Sequence, residues 1–217
     1  MDLGYIMQQL NIWLIPVLFA ITLHEVAHGW VAYKFGDRTA QMLGRLTLNP
    51  FNHIDLIGTV LVPLTAFYFG GFIFGWAKPV PVTVQNLRNP KTNMLWVALA
   101  GPFANFLMAC FWTLLIIIMI NAFPKSPFFE ILILMGKAGI IINVILMIFN
   151  LLPIPPLDGG RVLSSLLPGK YSWQLDRLEP YGIFIILGLF ALGLLSKIIS
   201  PPLQMFLRFF YSLIGVN

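Results

Sequence analysis

Residues 9–33 read QLNIWLIPVLFAITLHEVAHGWVAY, an apolar run of the length that crosses a bilayer as a helix, for which about 20 residues suffice. Near its far end stand His24, Glu25 and His28, and Glu25 is the only formal charge between Gln8 and Lys34. Residues four apart share a helix face, so the two imidazoles point the same way. That spacing lets them grip one metal ion, while Glu25 can reach a water on the metal and accept its proton. Zinc suits these donors, one ion per chain. With three histidines and three glutamates in 217 residues, the pattern arises by chance in roughly 6 of 10,000 such sequences. An acid kept at membrane depth for packing alone costs about 2.5–3.5 kcal/mol on insertion scales, which weighs further against a purely structural origin.

The remaining composition points to lipid as the solvent. Hydrophobic residues make up 59% and charged residues 10%, against about 25% charged in soluble domains, and the mean hydropathy is +0.86. The expectation is an all-α polytopic membrane protein with four to six membrane helices and a small re-entrant or interfacial β element. Residues 1–217 form a single membrane-embedded domain in this reading, with a catalytic core at about 9–167 and C-terminal helices at 178–217. The net charge is +5, but the cations are scattered through loops, so nucleic acid is excluded as a partner. Cys110 is the sole cysteine, which rules out an intrachain disulfide and a cysteine metal cluster. The start lacks the basic residues and small-residue cleavage site of a signal peptide, so the first helix is expected to be retained.

Further along, Arg45-Leu46-Thr47-Leu48 alternates polar and apolar before Asn49-Pro50, the pattern of a short strand and turn. Residues 58–76 form a second apolar run. Lys78-Pro79-Val80-Pro81-Val82-Thr83-Val84 contains two prolines and reads as an edge strand. Helices are expected over 94–120, interrupted early by Gly101-Pro102, and over 131–152, with Lys137 snorkelling near the start of the latter. Pro153, Pro155 and Pro156 end that helix and deliver Asp158 to a Gly159-Gly160 turn and a short helix up to Leu167. Another apolar segment spans 181–196, and 201–216 reads equally as an interfacial helix or a span.

A tetrahedral catalytic zinc takes three protein ligands and one open position. The chain has three histidines, so the third ligand is either His53 or an acid. Asp158 stands in apolar surroundings where an unpaired carboxylate is costly, although capping the helix that follows would also account for it. His53, in Asn52-His53-Ile54-Asp55, reads as a residue supporting the site from behind its ligands.

Taken together, His24 to His28, the stretch Ala100-Gly101-Pro102-Phe103-Ala104-Asn105, and the stretch Asn150-Leu151-Leu152-Pro153-Ile154-Pro155-Pro156-Leu157-Asp158-Gly159-Gly160 resemble the site-2 protease family of intramembrane zinc metalloproteases, peptidase family M50. Gly44-Arg45-Leu46-Thr47-Leu48-Asn49-Pro50, His53-Ile54-Asp55 and Gly75-Trp76-Ala77-Lys78-Pro79-Val80-Pro81-Val82 are similar to its small branch. The resemblance implies that Asp158 is the third zinc ligand with His24 and His28, that Glu25 is the general base, and that Asn105 and Asn150 bind substrate backbone or the tetrahedral oxyanion. It also implies a membrane-protein or peptide substrate. No segment between the membrane runs is long enough for the PDZ or CBS module of larger relatives. A dimer is compatible with this reading.

Two competing readings are a metal-binding membrane transporter and a non-proteolytic relative. A transporter has no need of Glu25 between the histidines, and an intact motif argues against a silent relative; a di-iron lipid enzyme needs more ligands than the chain offers. Positive charge sets the orientation. If 58–76 is re-entrant, Lys34, Arg38, Arg45, Lys78, Arg88, Lys91, Arg161, Lys170 and Arg177 share one face, which places a multi-pass protein in the cell membrane with its active site opening toward the cytoplasm. A substrate helix must unwind before its peptide bonds can be cut, and the two strand-like segments, 45–48 and 80–84, are candidates to hold it by β-augmentation.

Overall fold

The structure is a computed structural model that describes residues 3–55, 58, 61, 78–122 and 127–215. Among these, three helices are long and apolar enough to cross a membrane: α1 (Leu3–Lys34), α3 (Pro90–Ala122) and α4 (Pro127–Asn150). The short α2 (Thr39–Met42) follows the first of them. After α4 come α5 (Asp158–Leu166), α6 (Gly169–Asp176), α7 (Gly182–Ala191) and α8 (Leu194–Leu213).

Helix α3 begins four residues before the expected start, because Pro90 occupies its first position, where a missing N–H costs nothing and φ is already helical. The expected interruption at Gly101-Pro102 does not occur. Pro102 lies inside the helix and is buried with Gly101, since proline is tolerated in membrane spans where neighbouring helices and local adjustments satisfy the freed backbone groups.

The three spans alternate in direction. His28 bonds Val97 and Ala20 bonds Asn105, so α1 and α3 run antiparallel. Cβ atoms placed on Gly136 and Gly139 would stand 2.6 Å from Ile116 and 2.5 Å from Trp112, so α3 and α4 are antiparallel too and approach closely at small residues. α4 therefore runs parallel to α1, and both finish at the same end. The core between them gathers Ala109, Trp112, Ile116, Ile140, Val144 and Met147, closed by Phe210 and Ile214 of the α8 region.

That arrangement fixes where the chain goes after α1. Arg88 N–H donates to Phe35 O at 3.0 Å, so the segment between α1 and α3 leaves and returns at one end. The apolar run 58–76 lies, apart from residues 58 and 61, outside the described residues. Cations collect at this end: Arg88 bonds Lys34 O, Arg45 bonds Lys78 O, and Lys91 bonds Leu167 O at the end of α5.

No strand forms among the described residues. Residues 45–49 and 78–83 take no regular secondary structure, and Arg45 joins them through its guanidinium, to Lys78 O at 2.9 Å and Pro79 O at 3.4 Å, instead of a backbone ladder. The 78–83 strap has few donors to offer a partner strand: Pro79 and Pro81 have none, Lys78 N–H goes to His53 O, Val80 N–H to Glu25 and Thr83 N–H to Asp37. Val84 opens a 3-10 turn.

The apolar segment expected over 181–196 is broken at Gly193, whose φ of +67° is left-handed. The helical stretches on either side of this break meet at 83°. α8 runs through Pro201 and Pro202 and packs Phe210 into the core. The fold is thus all-α, with three candidate spans, or four if the bent pair is one span, the lower end of the expected four to six.

Candidate metal centre

His24 and His28 occupy successive turns of α1, and Gly101 of α3 faces both rings. A Cβ there would lie 2.3 Å from His28 Nε2, so only glycine lets α3 pass this close. Asp158 arrives from a distant part of the chain. It is the first residue of α5, while Leu157 holds the N-cap position without a side-chain cap bond, so Asp158 does not serve as the cap. Cβ atoms on Gly159 would stand 2.3 Å from Leu151 O and Leu152 O, and on Gly160 2.5 Å from Pro155 N. The double glycine therefore lets α5 start tucked against the end of α4, which aims the carboxylate at α1.

The three side chains converge. His24 Nε2 and His28 Nε2 lie 3.2 and 3.3 Å from Asp158 Oδ2 and 3.1 Å from each other. Each residue is less than a tenth exposed. Four-coordinate zinc with bonds of about 2.0–2.2 Å implies donor separations of about 3.3–3.6 Å, so the cluster is already near the size the ion requires.

Tautomer bookkeeping points the same way. His28 Nδ1 faces Val97 O at 2.7 Å, an atom that only accepts, so Nδ1 carries the hydrogen. His24 Nδ1 faces Asn105 Oδ1 at 2.6 Å. Both Nε2 atoms then present lone pairs to Asp158 Oδ2, which is buried with no hydrogen-bond donor. A cation satisfies all three at once, and the residues fit zinc.

Glu25 is held from outside the helix: Val80 N–H donates to its Oε2 at 2.7 Å. The strap that supplies this bond lies over Gly29, where an added Cβ would meet Val80 at 2.6 Å and Leu46 at 2.7 Å. Asp37 anchors the strap. Wholly buried, it accepts from Thr39 N–H and hydroxyl, Thr83 N–H and Asn86 Nδ2. Burial pushes its carboxyl up, but these hydrogen bonds outweigh burial and hold it below the ordinary carboxylate value. A cavity of about 140 Å³ opens beside the histidines and is lined by Glu25, Asp158, Val80, Asn150 and Arg161 among others.

Asn150 therefore borders the cavity, its Nδ2 donating to Leu146 O at 3.0 Å. Asn105 lies deeper. It is wholly buried behind His24, and its amide is spent on His24, Ala20 O and Asn143. This position sets its amide against the ring. His53 is buried in the 45–55 loop, its Nε2 2.9 Å from Thr47 O, and does not join the ligand cluster. Sequence reading missed Asn143, Asp37 and Val80. A lone asparagine inside Ile140-Ile141-Ile142-Asn143-Val144 was a legible signal for the first; Val80 acts through its backbone N–H and Asp37 through a carboxylate bonded to the distant Thr83 and Asn86, which no local pattern signals.

Comparison with known proteins was consistent with this centre. The profile of peptidase family M50 matches residues 12–133 and 116–187. The protein named "Putative zinc metalloprotease YwhC" of Bacillus subtilis is 37% identical over 199 residues, covering 88% of this chain and 84% of that one. "Putative zinc metalloprotease Rip2" of Mycolicibacterium smegmatis is 28% identical, covering 91% and 69%. "Zinc metalloprotease MJ0392" of Methanocaldococcus jannaschii is 27% identical over 73% of this chain and 35% of its own length. No solved structure matches.

Proposed function

The chain belongs to peptidase family M50 and is a zinc metalloprotease of the site-2 protease family, and from that premise we propose that it hydrolyses peptide bonds of transmembrane or membrane-associated proteins. The reading assigns zinc to His24, His28 and Asp158 and the general base to Glu25, within a single domain whose catalytic core is 9–167. The observation that carries it is the meeting of two imidazole lone pairs with a buried carboxylate oxygen that has no donor.

Bound zinc supplies Lewis acidity, which makes water a nucleophile at neutral pH. Glu25 takes the proton of the attacking water and returns it to the leaving amine. Val80 N–H, by holding one carboxylate oxygen, leaves the other to do this work and fixes the rotamer. Asn150, at the cavity edge, is placed to bind substrate backbone.

An unwound substrate needs an edge to pair with. The proline strap has spent its donors, whereas Leu46, Thr47 and Leu48 keep their N–H groups free of internal partners among the described residues. The 46–48 segment is the better edge for β-augmentation. The protein lies in the cell membrane with the site opening toward the cytoplasm, on the cation-rich end.

The test is cleavage of single-span substrates by purified protein, with zinc content measured alongside. Glu25→Gln should retain one zinc and lose at least about 100-fold in rate, the size of a general-base effect. Thr47→Pro should slow cleavage with zinc unchanged. Equal cleavage by Glu25→Gln rules the mechanism out, and a metal-free wild type rules out the centre.

A further inference from the structure

We propose that Asn143, acting through Asn105, is a positioning residue that fixes the tautomer of His24 and thereby sets the zinc affinity of the centre; the inference rests on the reading of His24 as a ligand. Three helices contribute: His24 from α1, Asn105 from α3 and Asn143 from α4. Both asparagines are wholly buried, so every polar atom must find a partner inside the protein.

An asparagine amide can be turned either way, but here each orientation is dictated by backbone. Asn143 Nδ2 donates to Gly139 O at 2.8 Å, and a carbonyl can only accept, so the amide nitrogen of Asn143 must face it. Its Oδ1 is then turned toward Asn105 and accepts from Asn105 Nδ2 at 2.9 Å. The same Nδ2 donates its second hydrogen to Ala20 O at 3.2 Å. With both hydrogens committed to acceptors, Asn105 can present only Oδ1 to His24 Nδ1, 2.6 Å away. His24 therefore carries hydrogen on Nδ1 and a lone pair on Nε2, the atom facing Asp158 and His28. Two carbonyls, one on α1 and one on α4, thus decide which nitrogen of His24 is free for metal.

A role as plain interhelical glue would need the two asparagines only to satisfy each other. Glue does not require the terminal oxygen to end on a metal ligand, and it makes a different prediction. Acting through Asn105, Asn143 should show no effect once Asn105 is gone; acting as glue, the two should contribute independently.

The experiment measures zinc affinity by chelator competition for wild type, Asn105→Leu, Asn143→Leu and the double variant, each purified in detergent. It also records the ¹⁵N NMR signals of the His24 ring in the metal-free protein. Asn105→Leu should weaken zinc binding about 10- to 100-fold, the usual cost of losing a group behind a metal ligand. Asn143→Leu should weaken it by about 5-fold or more, within that same effect. The double variant should be no weaker than Asn105→Leu. Metal-free wild type should show His24 protonated at Nδ1, and Asn143→Leu should show a mixture of tautomers. Should Asn143→Leu fold poorly, Asn143→Asp replaces it: the neutral acid favoured at this buried site keeps a donor for Gly139 O and an acceptor for Asn105, so it should bind zinc within about 3-fold of wild type if orientation is what matters. The proposal is overturned by wild-type affinity in Asn143→Leu, by losses that multiply in the double variant, or by an unprotonated Nδ1 in wild type. A wild type that binds no zinc refutes the proposed function, while the NMR measurement still decides the tautomer.

Discussion

Gly101 shows how little room one residue has at this centre. A side chain there would stand 2.3 Å from His28 Nε2 and 2.6 Å from His24 Cε1, so even a methyl group must push one imidazole out of line. Alanine is also the better helix former, by about 1 kcal/mol over glycine. For Gly101→Ala the overpacking, which costs about 1–3 kcal/mol, offsets that gain, so the helix content should hold while the thermal stability of the metal-free protein falls and zinc affinity drops more than about 10-fold. Equal zinc affinity in a chelator titration would show that the rings can yield. Sequence reading saw Gly101-Pro102 as a break in the helix; it is instead the place where α3 touches His24 and His28, a contact that only the approach of two elements creates.

At the scale of elements, the strap over 78–83 and the 3-10 turn after it link loop structure to Glu25, the proposed general base. Asp37 holds them at Thr83 and Asn86, and Val80 in turn holds Glu25. Asp37→Ala removes a buried acceptor from several donors and should lower local stability by about 3 kcal/mol. It should also reduce cleavage while zinc stays bound, which distinguishes it from a change in a ligand. The carboxyl of Asp37 is held below its ordinary value, so its contribution is complete above the unfolded value of about 3.9. That contribution fades as pH falls through the lower folded value. Amide exchange at Thr83 and Asn86 should accelerate as pH drops below about 4, relative to the intrinsic rate. Asp37→Asn should show faster exchange at neutral pH and little added acid dependence; an unchanged profile would mean that the carboxylate does not clasp the strap. Two segments that read as strands are thus an arginine-bridged loop and a proline strap, because the strap's donors go to His53 O, Glu25 and Asp37 and the guanidinium of Arg45 replaces a ladder between the two.

For the whole molecule, the antiparallel order of α1, α3 and α4 places both ends of the 35–88 segment at one face. Cysteines introduced at exposed Gln41 and Gln85, with Cys110 replaced, should label from the same side of the membrane, and one at exposed Asn121 from the other. Labelling of 41 and 85 from opposite sides would overturn this arrangement. The same order explains how Asp158 reaches α1: α4 runs parallel to α1, so its end delivers the proline turn to the level of His24 and His28 without doubling back through the bilayer.

Composition and periodicity by themselves determined that the chain lives in a membrane, which runs are helical, and that His24, Glu25 and His28 share a helix face, because length, hydropathy and the 3.6-residue repeat are local properties. The choice between Asp158 and His53 stayed open until the resemblance of the proline-rich motif spoke for Asp158. Tertiary structure decided the rest. It brought Asp158 to the histidines across more than a hundred residues, set Asn105 behind His24, and recruited Asn143, Asp37 and Val80. Those outcomes depend on which helices pack together and how closely, and on buried polar groups finding partners far along the chain, neither of which a local pattern encodes.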